Sequence, residues 1–146
     1  MTARAAAPLY TPDILALAVS LAEHPLTETL PLRGEAISRL CGSRIALGLA
    51  LDGQDRIAQA GAQVTACAIG QAAAAVFLRG ARERDAREID DARATLQAWL
   101  EGAADPPDWP GIDALGPARA YPARHAAILL PWKAAAAALS KRAGAA

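Results

Sequence analysis

The chain contains two cysteines, Cys41 and Cys67, and these are its strongest candidates for chemistry. Cys67 stands between a strand-like run and a helix of small residues, in the stretch VTACAIGQAAAAVF (64–77). A thiol at a helix N-terminus meets the positive end of the helix dipole and unpaired N–H groups, and both favour the thiolate that binds metals and attacks sulfur. Free cysteines are also often buried as small apolar residues, so the residues alone leave a packing role open.

A predicted β-hairpin brings the two cysteines together. Large aliphatic residues alternate with smaller ones between 44 and 51, and after an Asp-Gly turn the chain returns from 57 to 64. If these two strands pair, the residues just before the first strand lie beside those just after the second. We therefore expect Cys41 and Cys67 at the same end of the sheet.

The histidines and the paired acidic residues are weaker candidates. His24 ends the first predicted helix, where a cation suits the last carbonyl groups. His125 opens the last predicted helix, where it could act either as a cap or as a ligand. Asp90 and Asp91 lie on a charged helix that is typical of a solvated surface.

Composition and charge limit the function classes. A chain of 146 residues with 53% hydrophobic and 21% charged residues is typical of one folded domain, here 1–146 with a loose tail at 1–10. Fifteen basic and fifteen acidic residues leave no surplus charge for nucleic acid. No run is long and apolar enough for a membrane span, and no export signal is visible. We therefore predict a cytoplasmic protein with reduced cysteines and no nucleic-acid or membrane partner.

The pattern along the chain predicts an α+β fold. The expected order is an N-terminal helix, a small three-stranded antiparallel sheet and then several packed helices. The predicted pieces are a helix at 11–24, two short extended pieces within 25–42, the hairpin, a helix from Cys67 to Gly80, a helix at 85–102, a turn-rich segment at 104–124 pinned by Trp109, Ile112 and Leu115, and a last helix from His125 that is interrupted or kinked at Pro131.

Several stretches of the chain resemble the U-type iron–sulfur cluster scaffold proteins, the group of IscU, the NifU N-terminal domain and SufU. They are LYTPDILALA, CGSRIALGLALDG, AQVTACAIGQAAAA and YPARHAAILLPWKAA, and together they cover nearly the whole chain. The long segment at 104–124 makes the chain similar to the SufU branch. The resemblance implies an assembly protein that is not an enzyme, apart from a role in sulfur transfer, and that works with a cysteine desulfurase. A homodimer is also expected.

The resemblance also implies which residues form the site. Cys41 matches the first family cysteine and Cys67 the second, but the family's aspartate is Ser43 here and its third cysteine falls on Ala127. The implied cofactor is an iron–sulfur cluster or zinc, each of which takes four ligands that are mostly thiolates. Because two of these ligands are missing, the alternative expectation is that the protein binds no cofactor.

Three further residues complete the candidate site. Ser43 is a weak substitute for a carboxylate ligand, and Arg124 is a cation that would favour a nearby thiolate. His125 could replace the missing thiol only if it lies before the helix proper, because two helical residues separate it from Ala127 by about 200° of rotation.

Three functions remain open on these grounds. The first is a scaffold that holds a cluster or metal, with two chains each giving Cys41 and Cys67. The second is a sulfur acceptor, in which Cys67 takes a persulfide from a cysteine desulfurase. The third is a metal-free adaptor that keeps the fold only as a binding surface for the assembly machinery.

Overall fold

The computed structural model describes residues 9–145 and has an α+β architecture. Its main elements are α1 (Pro12–Ser20), β1 (Leu32–Ile37), β2 (Arg44–Leu51), β3 (Ile57–Thr65), α2 (Ala68–Gly80), α3 (Ala86–Leu100) and α4 (His125–Ala145), with 3-10 helices at Leu21–Glu23, Ile112–Ala120 and Pro122–Arg124. The predicted order of a helix, a three-stranded antiparallel sheet and several packed helices is confirmed. Between residues 9 and 145, no helix has the length and apolar character to cross a bilayer.

The register of the sheet determines where the cysteines lie. The strands are ordered β1-β2-β3, and both neighbouring pairs are antiparallel. Arg44 pairs with Ile37 on one side and with Thr65 on the other, so β1 ends, β2 begins and β3 ends at one edge of the sheet. Cys41 lies in the turn between β1 and β2, and Cys67 follows β3 by two residues. The predicted placement of both cysteines at one end of the sheet is confirmed.

One face of the sheet is covered by α4, which packs against β1 and β2. Ile45, Leu47 and Leu49 on β2 are buried in the core that this packing creates. Gly34 on β1 allows the close approach, because a β-carbon there would overlap the carbonyl oxygen of Ala134 on α4. The helix therefore fixes β1, and with it the turn that carries Cys41.

Three aromatic rings attach the proline-rich segment to the core. The Trp109 ring centroid lies 5.3 Å from that of Phe77 and 5.2 Å from that of Trp132. The indole Nε1 of Trp109 donates a hydrogen bond of 2.9 Å to the carbonyl oxygen of Val76. Trp109, Ile112 and Leu115 are all buried, as the sequence predicts.

Three local predictions differ from the structure. The segment 25–42 forms one strand instead of two, since prolines at 25 and 31 lack the N–H that a sheet ladder needs; Pro25 makes only an isolated bridge to Ala62. Leu9, placed in the loose tail, is buried in the core, while residues 1–8 lie outside the described residues. Of the interruption or kink predicted at Pro131, the interruption is excluded, because the last helix continues through that residue.

Candidate functional site at the end of the sheet

Cys41 lies on the tight turn that joins β1 to β2. The backbone N–H of Ser38 donates to the carbonyl oxygen of Ser43 at 2.8 Å, and the N–H of Gly42 donates to the carbonyl oxygen of Ser38 at 2.8 Å. Gly42 has a φ of 72°, a left-handed conformation that glycine adopts without steric cost. The closed turn presents Cys41 to solvent.

Two serine hydroxyls lie beside the sulfur of Cys41. Its Sγ is 3.1 Å from Oγ of Ser43 and 3.3 Å from Oγ of Ser38, and both serines are buried. The hydroxyl of Ser38 and then that of Ser43 lower the pKa of Cys41 below its ordinary value, against the opposing effect of burial. The backbone N–H of Ser43 and the guanidinium of Arg124 lower this pKa further. The turn therefore favours a thiolate at an exposed position.

Cys67 is the N-cap residue of α2. Its backbone is extended, and its side chain makes no capping hydrogen bond. Gln71 fixes this strand-to-helix turn, because its Nε2 donates to the carbonyl oxygen of Ala66 at 3.0 Å and its N–H donates to that of Cys67 at 3.0 Å. Cys67 is half-buried, so its thiol is less accessible than that of Cys41.

The position of the missing third cysteine lies near the first turn of α2. A β-carbon added at Gly70 would be 3.6 Å from Cβ of Ala127 and 2.6 Å from Cβ of Ala66. The beginnings of α2 and α4 and the end of β3 therefore meet here without intervening side chains. Ala127 is buried and contributes a methyl group where the resemblance implies a thiol.

Arg124 and His125 lie at the start of α4. Arg124 ends the 3-10 helix Pro122–Arg124 and is half-buried. His125 is the first residue of α4, and its Nε2 lies 3.1 Å from the carbonyl oxygen of Arg119. Among residues 9–145, no three or more histidine, cysteine, aspartate or glutamate side chains form a group that could hold a metal ion. A structural zinc site usually takes four such ligands, so the two cysteines would need ligands from outside this group of residues.

Two features of the site were missed by sequence reasoning. Ser38 reaches Cys41 only because the turn between β1 and β2 closes on itself; a serine three residues before a cysteine is the single available signal. Ile37 at the end of β1 and Leu40 next to Cys41 in the chain are 62% and 88% exposed. Exposed aliphatic side chains beside a thiol are typical of a surface that contacts another protein.

Comparison with solved structures identifies the fold family. A NifU-like protein (N-terminal) from Brucella abortus is similar over 94% of this chain and 96% of its own, with a TM-score of 0.82 and 28% identity. This likeness supports the resemblance of the chain to the U-type iron–sulfur scaffold family. The resemblance inferred from the sequence is therefore confirmed. No family model and no curated protein matches the chain.

Two other solved structures share the fold. A putative iron–sulfur cluster assembly scaffold protein for the SUF system from Fervidobacterium islandicum AW-1 has a TM-score of 0.73 and 24% identity, over 90% of this chain and 96% of its own. A hypothetical protein has a TM-score of 0.66 and 18% identity, over 87% and 96%. At these identities the likeness establishes the fold alone.

Proposed function

We propose that this U-type scaffold relative serves iron–sulfur cluster assembly as a sulfur acceptor. Cys41 is the accepting thiol, and a cysteine desulfurase is the donor. The observation that carries the proposal is the surrounding of Cys41: an exposed sulfur within hydrogen-bond distance of two buried hydroxyls, with a pKa below its ordinary value. A thiolate at an accessible position is what nucleophilic attack on a persulfide requires.

The chemical step conserves sulfur and electrons. The thiolate of Cys41 attacks the terminal sulfur of the donor persulfide, a new S–S bond forms at Cys41, and the S–S bond in the donor breaks. The donor cysteine leaves as a thiolate with the electron pair of the broken bond. No external oxidant or reductant is consumed, because the oxidised sulfur passes from one thiol to another.

The sequence pointed instead to Cys67 as the acceptor, because it begins a helix. We assign Cys67 the second position in the sequence of transfers. It lies at the same end of the sheet, on the far side of the pairing of Arg44 with Thr65, and is half-buried. Its location suits a thiol that receives sulfur from Cys41 or shares it.

The composition of the site supports sulfur as the cargo over a metal held by one chain. The resemblance implies an aspartate at Ser43 and a cysteine at Ala127, and neither replacement supplies an anionic ligand. Arg124 adds a positive charge, which attracts an anionic persulfide and repels a metal cation.

Incubation with a cysteine desulfurase and free cysteine, followed by mass spectrometry of the intact protein, tests the proposal. We expect an adduct of about 32 Da that is lost in Cys41→Ser. The Cys67→Ser variant is the matched control and keeps the first adduct. A wild-type protein that gains no mass would remove the proposal.

A second candidate is a cluster shared between two chains. The exposure of Cys41 on a turn favours it, since a second copy can approach that sulfur. Two chains would together offer four thiolates, the usual ligand count of a cluster. Iron analysis and gel filtration of anaerobically purified protein decide the matter: an iron-free monomer excludes a shared cluster.

The remaining expectations are consistent with either candidate. We infer a single domain and a cytoplasmic location, where reduced thiols persist. The protein has no catalytic turnover of its own beyond sulfur transfer. If the protein served only as an adaptor, replacing both cysteines by serine would leave its binding to assembly partners intact.

A further inference from the structure

We infer that Ser38 and Ser43 are positioning residues for sulfur transfer: their buried hydroxyls hold the sulfur of Cys41 from inside the turn and leave its outer side open to a donor. This inference rests on the proposed sulfur-acceptor function. It assigns a role to Ser38, which the resemblance does not mark, and a new role to Ser43.

The two hydroxyls lie in fixed positions beneath the sulfur. Ser38 and Ser43 are 5% and 4% exposed, and Cys41 Sγ is the side-chain partner of both. The two serines are joined through the backbone by the N–H of Ser38 and the carbonyl oxygen of Ser43. The backbone of the turn therefore holds the two serines next to each other, and Cys41, which is exposed, contacts both of their hydroxyls.

The protonation state of Cys41 determines which atom can donate in these contacts. A neutral thiol carries one hydrogen and can donate it to either hydroxyl, whereas a thiolate carries none and can only accept from them. A buried hydroxyl without a partner carries a desolvation cost, and donation to sulfur removes that cost. Donation from both hydroxyls is strongest when Cys41 carries a negative charge, which is its state as an attacking nucleophile.

A hydroxyl at position 43 also selects for anionic sulfur. An ionised carboxylate there could only accept hydrogen bonds and would repel a thiolate at this distance. The Ser43 hydroxyl can instead donate to an ionised sulfur, so it stabilises both the thiolate of Cys41 before attack and the negative charge that the transferred sulfur carries afterwards. The turn is therefore suited to accept sulfur and ill suited to bind a metal cation.

The test compares rates of persulfide formation on Cys41 in a Cys67→Ser background. A small-molecule alkyl persulfide and a cysteine desulfurase are used as separate donors, so that chemistry at the turn is measured apart from protein docking. The variants are Ser38→Ala, Ser43→Ala and their combination, with Ser38→Thr and Ser43→Thr as conservative rescues. Ser20→Ala is the matched control, because Ser20 is also buried and its hydroxyl donates to the carbonyl oxygen of Leu17.

With the small-molecule donor, we expect each alanine variant to react about tenfold more slowly, and the threonine variants and Ser20→Ala to react within about threefold of the parent. Circular dichroism checks the fold; if the combined variant is unfolded, the two single variants decide. Parental rates in folded alanine variants, or equally slow threonine variants, would overturn the inference. A parent that accepts sulfur from the small molecule but not from the desulfurase instead overturns the proposed function and leaves the role of the serines standing.

Discussion

At the scale of single residues, the chemistry of the site depends on what surrounds each thiol. Cys41 and Cys67 share one end of the sheet, yet Cys41 is exposed and contacts two hydroxyls, whereas Cys67 is half-buried and makes no capping hydrogen bond. Ser43 has a neutral hydroxyl and Ala127 a methyl group at the two positions where the resemblance implies anionic ligands. The residue types therefore favour a nucleophilic thiolate over a metal centre.

The rate at which Cys41 is alkylated should rise with pH, and the midpoint of that rise should lie at a lower pH than for a free cysteine. In a Cys67→Ser variant, iodoacetamide reacts only with the thiolate of Cys41, and we expect the midpoint below the value of about 8.5 for a free cysteine. The hydroxyls and the Arg124 guanidinium stabilise the charged form, so the thiolate persists to lower pH. Arg124→Gln should raise the midpoint and Arg124→Lys should largely preserve it. A midpoint at or above that of free cysteine would contradict the described environment.

Restoring the implied ligands should create a metal site. We expect the double variant Ser43→Asp/Ala127→Cys to bind zinc on the order of 100-fold more tightly than the parent, measured by competition with a chromogenic chelator. The reason is that position 43 lies beside Cys41, and position 127 lies against the first turn of α2, which Cys67 caps. Ser43→Asp/Ala135→Cys is the control, since Ala135 is equally buried on α4. An equal gain in zinc affinity in both double variants would contradict a metal site formed jointly by positions 43 and 127 with the two cysteines.

At the scale of elements, α4 determines the position of the turn that carries Cys41. Helix α4 and strand β1 approach closely at Gly34 on β1, four residues before Ser38. We expect Gly34→Ala to lower the free energy of unfolding by about 2 kcal/mol or more in urea, because the added methyl overlaps the α4 backbone. Gly53→Ala, where nothing lies within 4 Å, should change it by less than about 0.5 kcal/mol. Similar losses in the two variants would contradict this packing.

The turn between β1 and β2 should also contact the sulfur donor. Leu40 is 88% exposed and adjacent to Cys41, so a docked desulfurase would cover it. We expect Leu40→Glu to weaken binding to the desulfurase about tenfold or more in calorimetry, while the small-molecule persulfide reacts at the parental rate. Val19→Glu on α1, where the parent side chain is 76% exposed, controls for the loss of a surface aliphatic group. Unchanged affinity in Leu40→Glu would place the docking surface elsewhere.

At the scale of the whole molecule, the sequence predicts the architecture well because its elements have strong local signals. Alternation of large and small residues defines β2, and the proline at the first position of α1 defines that helix. The contacts of Ser38 with Cys41 and the packing of Ala127 near Gly70 could not be predicted, because they depend on how separate segments close in space. Two extended pieces were predicted within 25–42 and only β1 forms, because Pro25 and Pro31 favour extended backbone but lack the N–H that a sheet ladder needs.

The resemblance to the U-type scaffolds is likewise visible in the sequence, but the activity depends on side-chain geometry. The fold is that of the U-type scaffolds, and the chain covers 96% of the NifU-like structure from Brucella abortus. Within that fold, the described residues contain no group of three potential metal ligands and one exposed thiol with two hydroxyl neighbours. The proposed role as an assembly protein whose cargo is sulfur depends on this exposed thiol and its two hydroxyl neighbours.

The central claim is that Cys41 receives sulfur directly from a persulfide donor. Peptide mapping of the desulfurase-treated protein, with rapid alkylation to trap the first product, tests it directly. The account predicts an added mass of about 32 Da on the peptide that contains Cys41 at the earliest times, present in Cys67→Ser and absent in Cys41→Ser. A first adduct on Cys67 that forms at full rate in Cys41→Ser would contradict it.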